Sequence, residues 1–287
     1  MIKYNVNTCD QICNELMVHF TKACENKCAF CVDALNRGIA PQKPDVNNIF
    51  NAIKSHENNI TSVTISGGEP CLYMVELLEL VTRLKSETNL TVGIISSMPT
   101  TCWTERDTFF KILDIVDNFA FSPQHYDEKI ADKMRGSISK YNHQELYAIL
   151  PHKEKMCVNI NVMKPYLMTA TEICECIRHY NQLGFKTIRV SELFDMPHMY
   201  VSIEKVFGLN LKSPFAHGCK INNFDITPWI PEFDGNLILK RTCFLVNKKL
   251  HANLSDLVKV ATRPLFMKKE YTFGVVYEDG SVKPYWC

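Results

Sequence analysis

Three cysteines within eight residues, in the run Cys24-Glu25-Asn26-Lys27-Cys28-Ala29-Phe30-Cys31, constrain this chain more than any other feature. A loop this short can wrap one inorganic centre, and thiolates so closely spaced are ligands of iron–sulfur clusters or of zinc. A [4Fe–4S] cluster takes four ligands, so three local thiols leave one iron open to an exogenous group. A non-catalytic Cys3His zinc module is the competing reading, with His19 nearby. Zinc knuckles more often come as paired C-x2-4-C units, and the one other pair at such spacing, Cys9 and Cys13, has nothing to supply its partners.

The chain carries 13 cysteines in 287 residues. Most would have to stay reduced in a cytosol that disfavours structural disulfides, and metal ligation is the natural use of such an excess. The start of the chain, Met1-Ile2-Lys3-Tyr4-Asn5-Val6-Asn7, lacks the continuous apolar stretch of a secretory signal, so a cytoplasmic location is expected. No apolar run approaches the length of a membrane span. With 32 basic and 31 acidic residues the net charge is near zero, which removes the electrostatic case for a nucleic-acid partner.

Strand-like apolar runs alternate with amphipathic stretches. Strands are expected at Leu16 to Phe20, Ser62 to Ile65, Val92 to Ser96, Phe119 to Phe121, Val158 to Val162 and Thr187 to Val190. Helices are expected at Asn47 to His56, Met74 to Lys85, Arg106 to Val116, Gln144 to Leu150 and Ala170 to Leu183, with Asp45 and Thr171 in the cap regions. This βα alternation predicts a parallel α/β sheet. About six units are too few to close an eight-stranded barrel, so an open, partial (β/α)6 barrel is expected, with its site at the carboxyl ends of the strands. Beyond Phe194 the pattern changes, and two β-hairpins are expected at Asp234-Gly235-Asn236 and Asp279-Gly280-Ser281. Residues 1–210 are read as the barrel and 211–287 as a small C-terminal extension.

The second strand runs straight into Ser66-Gly67-Gly68-Glu69-Pro70. Paired glycines let backbone approach a ligand and supply amide donors to a carboxylate, and Glu69 can accept from an ammonium. A cysteine loop after strand one and this loop after strand two would share one rim of the sheet.

The C-x3-C-x2-C spacing, with Phe30 before the last thiol, and the intact GGEP segment together resemble the signature of the radical S-adenosylmethionine (SAM) superfamily. The resemblance implies that Cys24, Cys28 and Cys31 hold a [4Fe–4S] cluster, that the open iron chelates the amino and carboxylate groups of SAM, and that Phe30 lies near the adenine. It implies that Ser66, Gly67, Gly68, Glu69 and Pro70 bind the methionyl end. Polar residues at the other strand ends, Ser96 and Ser97, Ser122 and Gln124, and Asn159 and Asn161, are candidates for the ribose and carboxylate of SAM; satisfying backbone groups is the bland alternative. The implied chemistry is reductive cleavage of SAM to a 5′-deoxyadenosyl radical that abstracts hydrogen from a substrate. An external one-electron donor such as flavodoxin or ferredoxin would supply the electron.

The hairpin run from Val276 to Cys287 looks like those of peptide-modifying members, whose extensions carry auxiliary clusters. Here only Cys219, Cys243 and Cys287 are available for one, and packing as small hydrophobes is the favoured reading for them. A ribosomal peptide is the first expectation for substrate, and a nucleotide or other small metabolite the second. His125-Tyr126-Asp127 and His198-Met199-Tyr200 follow strand ends and could face substrate, and Tyr126, Cys102 or Cys287 could relay a hydrogen atom. The remaining cysteines, Cys9, Cys13, Cys71, Cys157, Cys174 and Cys176, fit core or helix positions.

Overall fold

The computed structural model describes residues 15–31, 42–193, 196–209, 220–221, 223–240 and 275–283. Six strands follow one another in chain order and pair in parallel: β1 (Glu15–His19), β2 (Ser62–Ser66), β3 (Thr91–Ser96), β4 (Asn118–Phe121), β5 (Met156–Val162) and β6 (Thr187–Glu192). Four more follow: β7 (Lys220–Ile221), β8 (Asn236–Lys240), β9 (Val275–Tyr277) and β10 (Val282–Lys283). They complete a ten-stranded sheet in the order β10-β9-β1-β2-β3-β4-β5-β6-β8-β7. β8 extends the parallel set beyond β6 and β9 extends it beyond β1, while β7 and β10 cap the edges in antiparallel pairing. The sheet is an open, partial barrel of eight parallel strands.

Crossovers between the parallel strands run through α1 (Val46–Ser55), α2 (Met74–Glu87), α3 (Thr101–Thr104), α4 (Arg106–Ile115), α5 (Glu128–Arg135), α6 (His143–Ile149) and α7 (Ala170–Gln182), and a short α8 (Ile203–Val206) follows β6. The longer helices form where apolar residues recur every three or four positions: Ile49, Phe50 and Ile53 of α1 and Leu77, Leu80, Val81 and Leu84 of α2 are buried. Asp45 caps α1 as expected, accepting from the amide of Asn48. For α7 the cap is Thr169, two residues before the expected Thr171. Thr169 accepts from the Glu172 amide while the Glu172 side chain accepts from the Thr169 amide, and this reciprocal pair fixes the start. No described helix is long and apolar enough to cross a membrane.

Strand alternation gives the sheet two unlike faces. Leu16 and Val18, Val63 and Ile65, Val92 and Ile94, Phe119 and Phe121, Val158 and Ile160, and Ile188 and Val190 are all buried and make up the helix-covered core. The opposite face is polar along much of its length: Thr64 and Ser66 on β2, Asn159 and Asn161 on β5, and Arg189 and Ser191 on β6.

The tail follows only one of the two hairpin expectations. β9 and β10 form the hairpin around Asp279-Gly280-Ser281. Asp234-Gly235-Asn236 instead leads into β8, whose antiparallel partner β7 lies well upstream. A Cβ on Gly235 would sit 2.3 Å from the Lys186 carbonyl oxygen, and the Asn236 amide donates to that same oxygen, so the glycine serves close approach to β6. Cys9, Cys13, Cys219, Cys243 and Cys287 lie outside the described residues.

Candidate active site

The cysteine loop leaves β1 and is held from two sides by backbone. On one side the Gly68 amide donates to the Thr21 carbonyl at 2.6 Å and the Glu69 amide to the Ala23 carbonyl at 2.7 Å. A Cβ on Gly68 would lie 2.2 Å from the Ala23 oxygen, and Gly67, at φ 122°, would press on the Thr21 oxygen at 2.8 Å. Both positions therefore require glycine. On the other side the Lys27 amide donates to the Arg135 carbonyl at 2.8 Å, and Gly136, the left-handed cap of α5, packs on Lys27. Within the loop, the Cys31 amide returns to the Cys28 carbonyl at 3.1 Å.

Of the amides expected to serve a ligand, that of Gly68 is therefore already engaged. The Gly68 and Glu69 amides are spent on the exit of β1. The Glu69 carboxylate, expected to accept from an ammonium, is buried and already accepts from four donors. Ser96 Oγ and the Cys71 amide reach one oxygen at 2.7 and 3.0 Å, and the Ser97 amide and hydroxyl reach the other, both at 2.6 Å. Burial pushes its carboxyl above the usual range, and these hydrogen bonds oppose the push. Ser97 in turn accepts from Asn26 Nδ2 at 2.9 Å, and Asn26 Oδ1 accepts from Ser137 at 2.6 Å. One polar chain therefore runs from the loop after α5 through the cysteine loop to the glycine loop.

Cys24 is at the open surface of the loop, Cys28 and Cys31 are half-buried, and none of the eight described cysteines is in a disulfide. Desolvation, then the charge of Glu69, push the Cys24 thiol up to about 12, and Cys28 and Cys31 add to the shift. Thiols packed together beside a carboxylate stay protonated until a cationic centre neutralises them. This all-sulfur set suits an iron–sulfur cluster, whose thiolates each take a separate iron. Among the described residues no three His, Cys, Asp or Glu side chains converge on one metal-ion position, the three thiols of this loop included. His19, the fourth zinc ligand considered, is a fully buried residue of β1 whose ring stacks on Tyr277 with centroids 5.4 Å apart.

The other candidates are spread over the fold. Phe30 is half-buried and packs against the core beside the cysteines. Ser122 lies at the end of β4, where its amide bonds to the Ser96 carbonyl, and Gln124 accepts from Asn161 at 3.4 Å; Asn159 and Asn161 share the polar face. Cys102, by contrast, is fully buried against Cys71. Tyr126 stacks between His125 and His179 and donates to Glu175 on α7. Cys71, Cys174 and Cys176 are core residues as expected, whereas Cys157 is a half-buried member of the polar face of β5. Arg189 was not singled out in the sequence, although the polar and apolar alternation of β6 marks it as facing inward with Ser191.

Comparison with known proteins agrees with this geometry. The model of the radical SAM superfamily matches residues 18–199, well over half of the chain. A Haemophilus influenzae protein named for activating a glycyl-radical enzyme is 22% identical over 232 residues, covering 71% of this chain and 87% of the relative. The crystal structure of Streptococcus suis SuiB bound to SAM superposes with a TM-score of 0.64 at 18% identity, covering 94% of this chain and 59% of SuiB. SuiB bound to its precursor peptide SuiA gives 0.63 at 17% identity, covering 94% and 58%. The chain therefore spans less than two thirds of SuiB. The match over residues 18–199, on an open parallel sheet of the same kind, gives the family: the chain belongs to the radical SAM superfamily.

Proposed function

We propose that Cys24, Cys28 and Cys31 hold a [4Fe–4S] cluster at which SAM is cleaved reductively, and that the resulting 5′-deoxyadenosyl radical abstracts hydrogen from a polypeptide substrate. The observation that carries this reading is the backbone clamp between the two loops, Glu69 amide to Ala23 carbonyl at 2.7 Å, which holds three thiols and the GGEP segment at one rim. When bound, the cluster and SAM supply the electron transfer and the carbon–sulfur cleavage. The chain's own residues do the rest. Glu69 fixes Ser96 and Ser97 beside the thiols, and an ammonium near this carboxylate would offset the cost of its burial. Phe30 offers a flat apolar surface for an adenine, and Ser122, Asn159 and Asn161 line the way inward. The apolar core behind the sheet excludes water from one side of the space.

Support for a polypeptide substrate comes from the SuiA peptide held by SuiB, from the activating role named for the Haemophilus influenzae protein, and from the β9–β10 hairpin. That hairpin docks beside the cysteine loop, its buried Glu278 accepting from the Lys22 amide at 2.9 Å. Residues 1–210 carry the chemistry in this reading, and 211–287 finish both edges of the sheet. A flavodoxin- or ferredoxin-like donor supplies the electron, and a reducing cytoplasm keeps the thiols unpaired.

Anoxic reconstitution followed by iron and acid-labile sulfide analysis tests the reading. About four of each per chain, lost in Cys28→Ala, supports one cluster. Zinc on these thiols, with no sulfide, overturns it.

A further inference from the structure

The inner wall formed by β5, β6 and β8 carries a cation that no described residue answers. Arg189 sits in β6, opposite Asn159 on one neighbouring strand and Ile238 on the other. Its side chain is half-buried, and its Nε is buried without a hydrogen-bond partner. Among the described residues no carboxylate pairs with its guanidinium. Its neighbours on that face are the amides of Asn159 and Asn161, the hydroxyls of Thr187 and Ser191, and a second cationic residue, Lys240, in register with Ser191. Glu192, next along β6, belongs to the opposite set and accepts from the Ile203 amide at 2.9 Å. Around Arg189 the wall is therefore dressed with amides and hydroxyls, and among the described residues no acid stands in register with it.

A desolvated guanidinium nitrogen without a partner lowers the stability of the ligand-free fold. A site that keeps such a group is complementary to an anion that arrives from outside. We propose that Arg189 anchors a carboxylate of the substrate, taken side-on by Nε and a terminal nitrogen in the two-pronged geometry that suits a planar carboxylate. β6 is four strands from β2 in the sheet, about 19 Å along its surface at ordinary strand spacing. This separates Arg189 from the glycine loop on β2, while Asn159 and Asn161 on the adjoining strand, the candidates for the ribose and carboxylate of SAM, put it where SAM would face the substrate. The carboxylate could belong to an acidic side chain of a peptide, to a peptide C-terminus or to a small free acid, and the chemistry of recognition is the same.

This inference rests on the reading of the site as a SAM-dependent one, and its test needs no turnover. The anoxically reconstituted protein with SAM is titrated, with ligand-observed NMR as readout, against acetyl-glutamate amide, acetyl-glycine, glutarate and the neutral acetyl-glutamine amide. At least one carboxylate probe should bind about tenfold more tightly than the glutamine analogue, and Arg189→Met should remove that preference. The tightest of the three identifies the source. In parallel, thermal unfolding of the ligand-free protein should shift upward in Arg189→Met, by about 2–4 °C, because an unpartnered buried donor is removed. Equal binding of the charged and neutral probes, or a lower melting midpoint in Arg189→Met, overturns the proposal. Loss of SAM cleavage with carboxylate binding intact would instead overturn the function proposed above and leave this anchor standing.

Discussion

The amide of Glu69 donates to the carbonyl oxygen of Ala23 at 2.7 Å, one residue before the first thiol of the cysteine loop. The glycine loop and the cysteine loop are thus one backbone unit, and the 2.2 Å clearance at Gly68 leaves no room for a methyl group.

Gly68→Ala should therefore push the two loops apart. The added carbon meets backbone rather than a yielding side chain, so a loss of about 1–3 kcal/mol in stability is expected. Chemical denaturation of the cluster-free chain measures it, and iron content after reconstitution should fall in the same variant.

The polar chain from Ser137 through Asn26 and Ser97 to Glu69 should behave as a network. Ser97→Ala leaves one Glu69 oxygen short of a donor in a buried site, at about 1–2 kcal/mol. Because Asn26 acts on Glu69 through Ser97, the double variant Asn26→Ala/Ser97→Ala should cost less than the sum of the singles by at least 0.5 kcal/mol. Strict additivity in denaturation experiments would show that the two loops are coupled by backbone alone.

Stability at acid pH should report on α5. Burial alone would raise Glu128, but hydrogen bonds and charge from His143 and then Arg135 outweigh it and hold its carboxyl below the usual 4.5. A depressed folded value means that this contribution is complete above about 4.5 and is lost as pH falls through the lower folded value. The cluster-free protein should lose stability over that window, and Glu128→Gln should flatten the loss. Arg135→Met, at a side chain only 2% exposed, should cost about 2–3 kcal/mol at neutral pH. That is less than a fully buried pair would lose, because Glu128 and Asp132 are 27% and 22% exposed.

Much of this was legible in the sequence because period and motif pointed the same way. The six strands and five long helices stand within a few residues of where apolar spacing put them, and the cysteine and glycine loops share a rim. α5 was missed because its apolar content is thin: only Ala131, Met134 and Arg135 are buried. Its signals were its ends, Asp127 as the amino cap and Gly136 in the left-handed conformation, on either side of eight residues with a basic last turn. Asp234-Gly235-Asn236 misled because a glycine needed for close approach to Lys186 has the same composition as a hairpin turn. The role of the paired glycines could not be read from spacing, since their partner is the exit of β1, more than forty residues upstream. Arg189 is polar in a strand, which alone marks only a face; what sets it apart is the lack of an acid across the sheet, and register is a property of the fold.

The central claim is tested most directly by incubating anoxically reconstituted protein with SAM and dithionite and measuring 5′-deoxyadenosine. The unsubstituted chain should release it and Cys28→Ala should not. Equal yields from the two proteins would contradict the account.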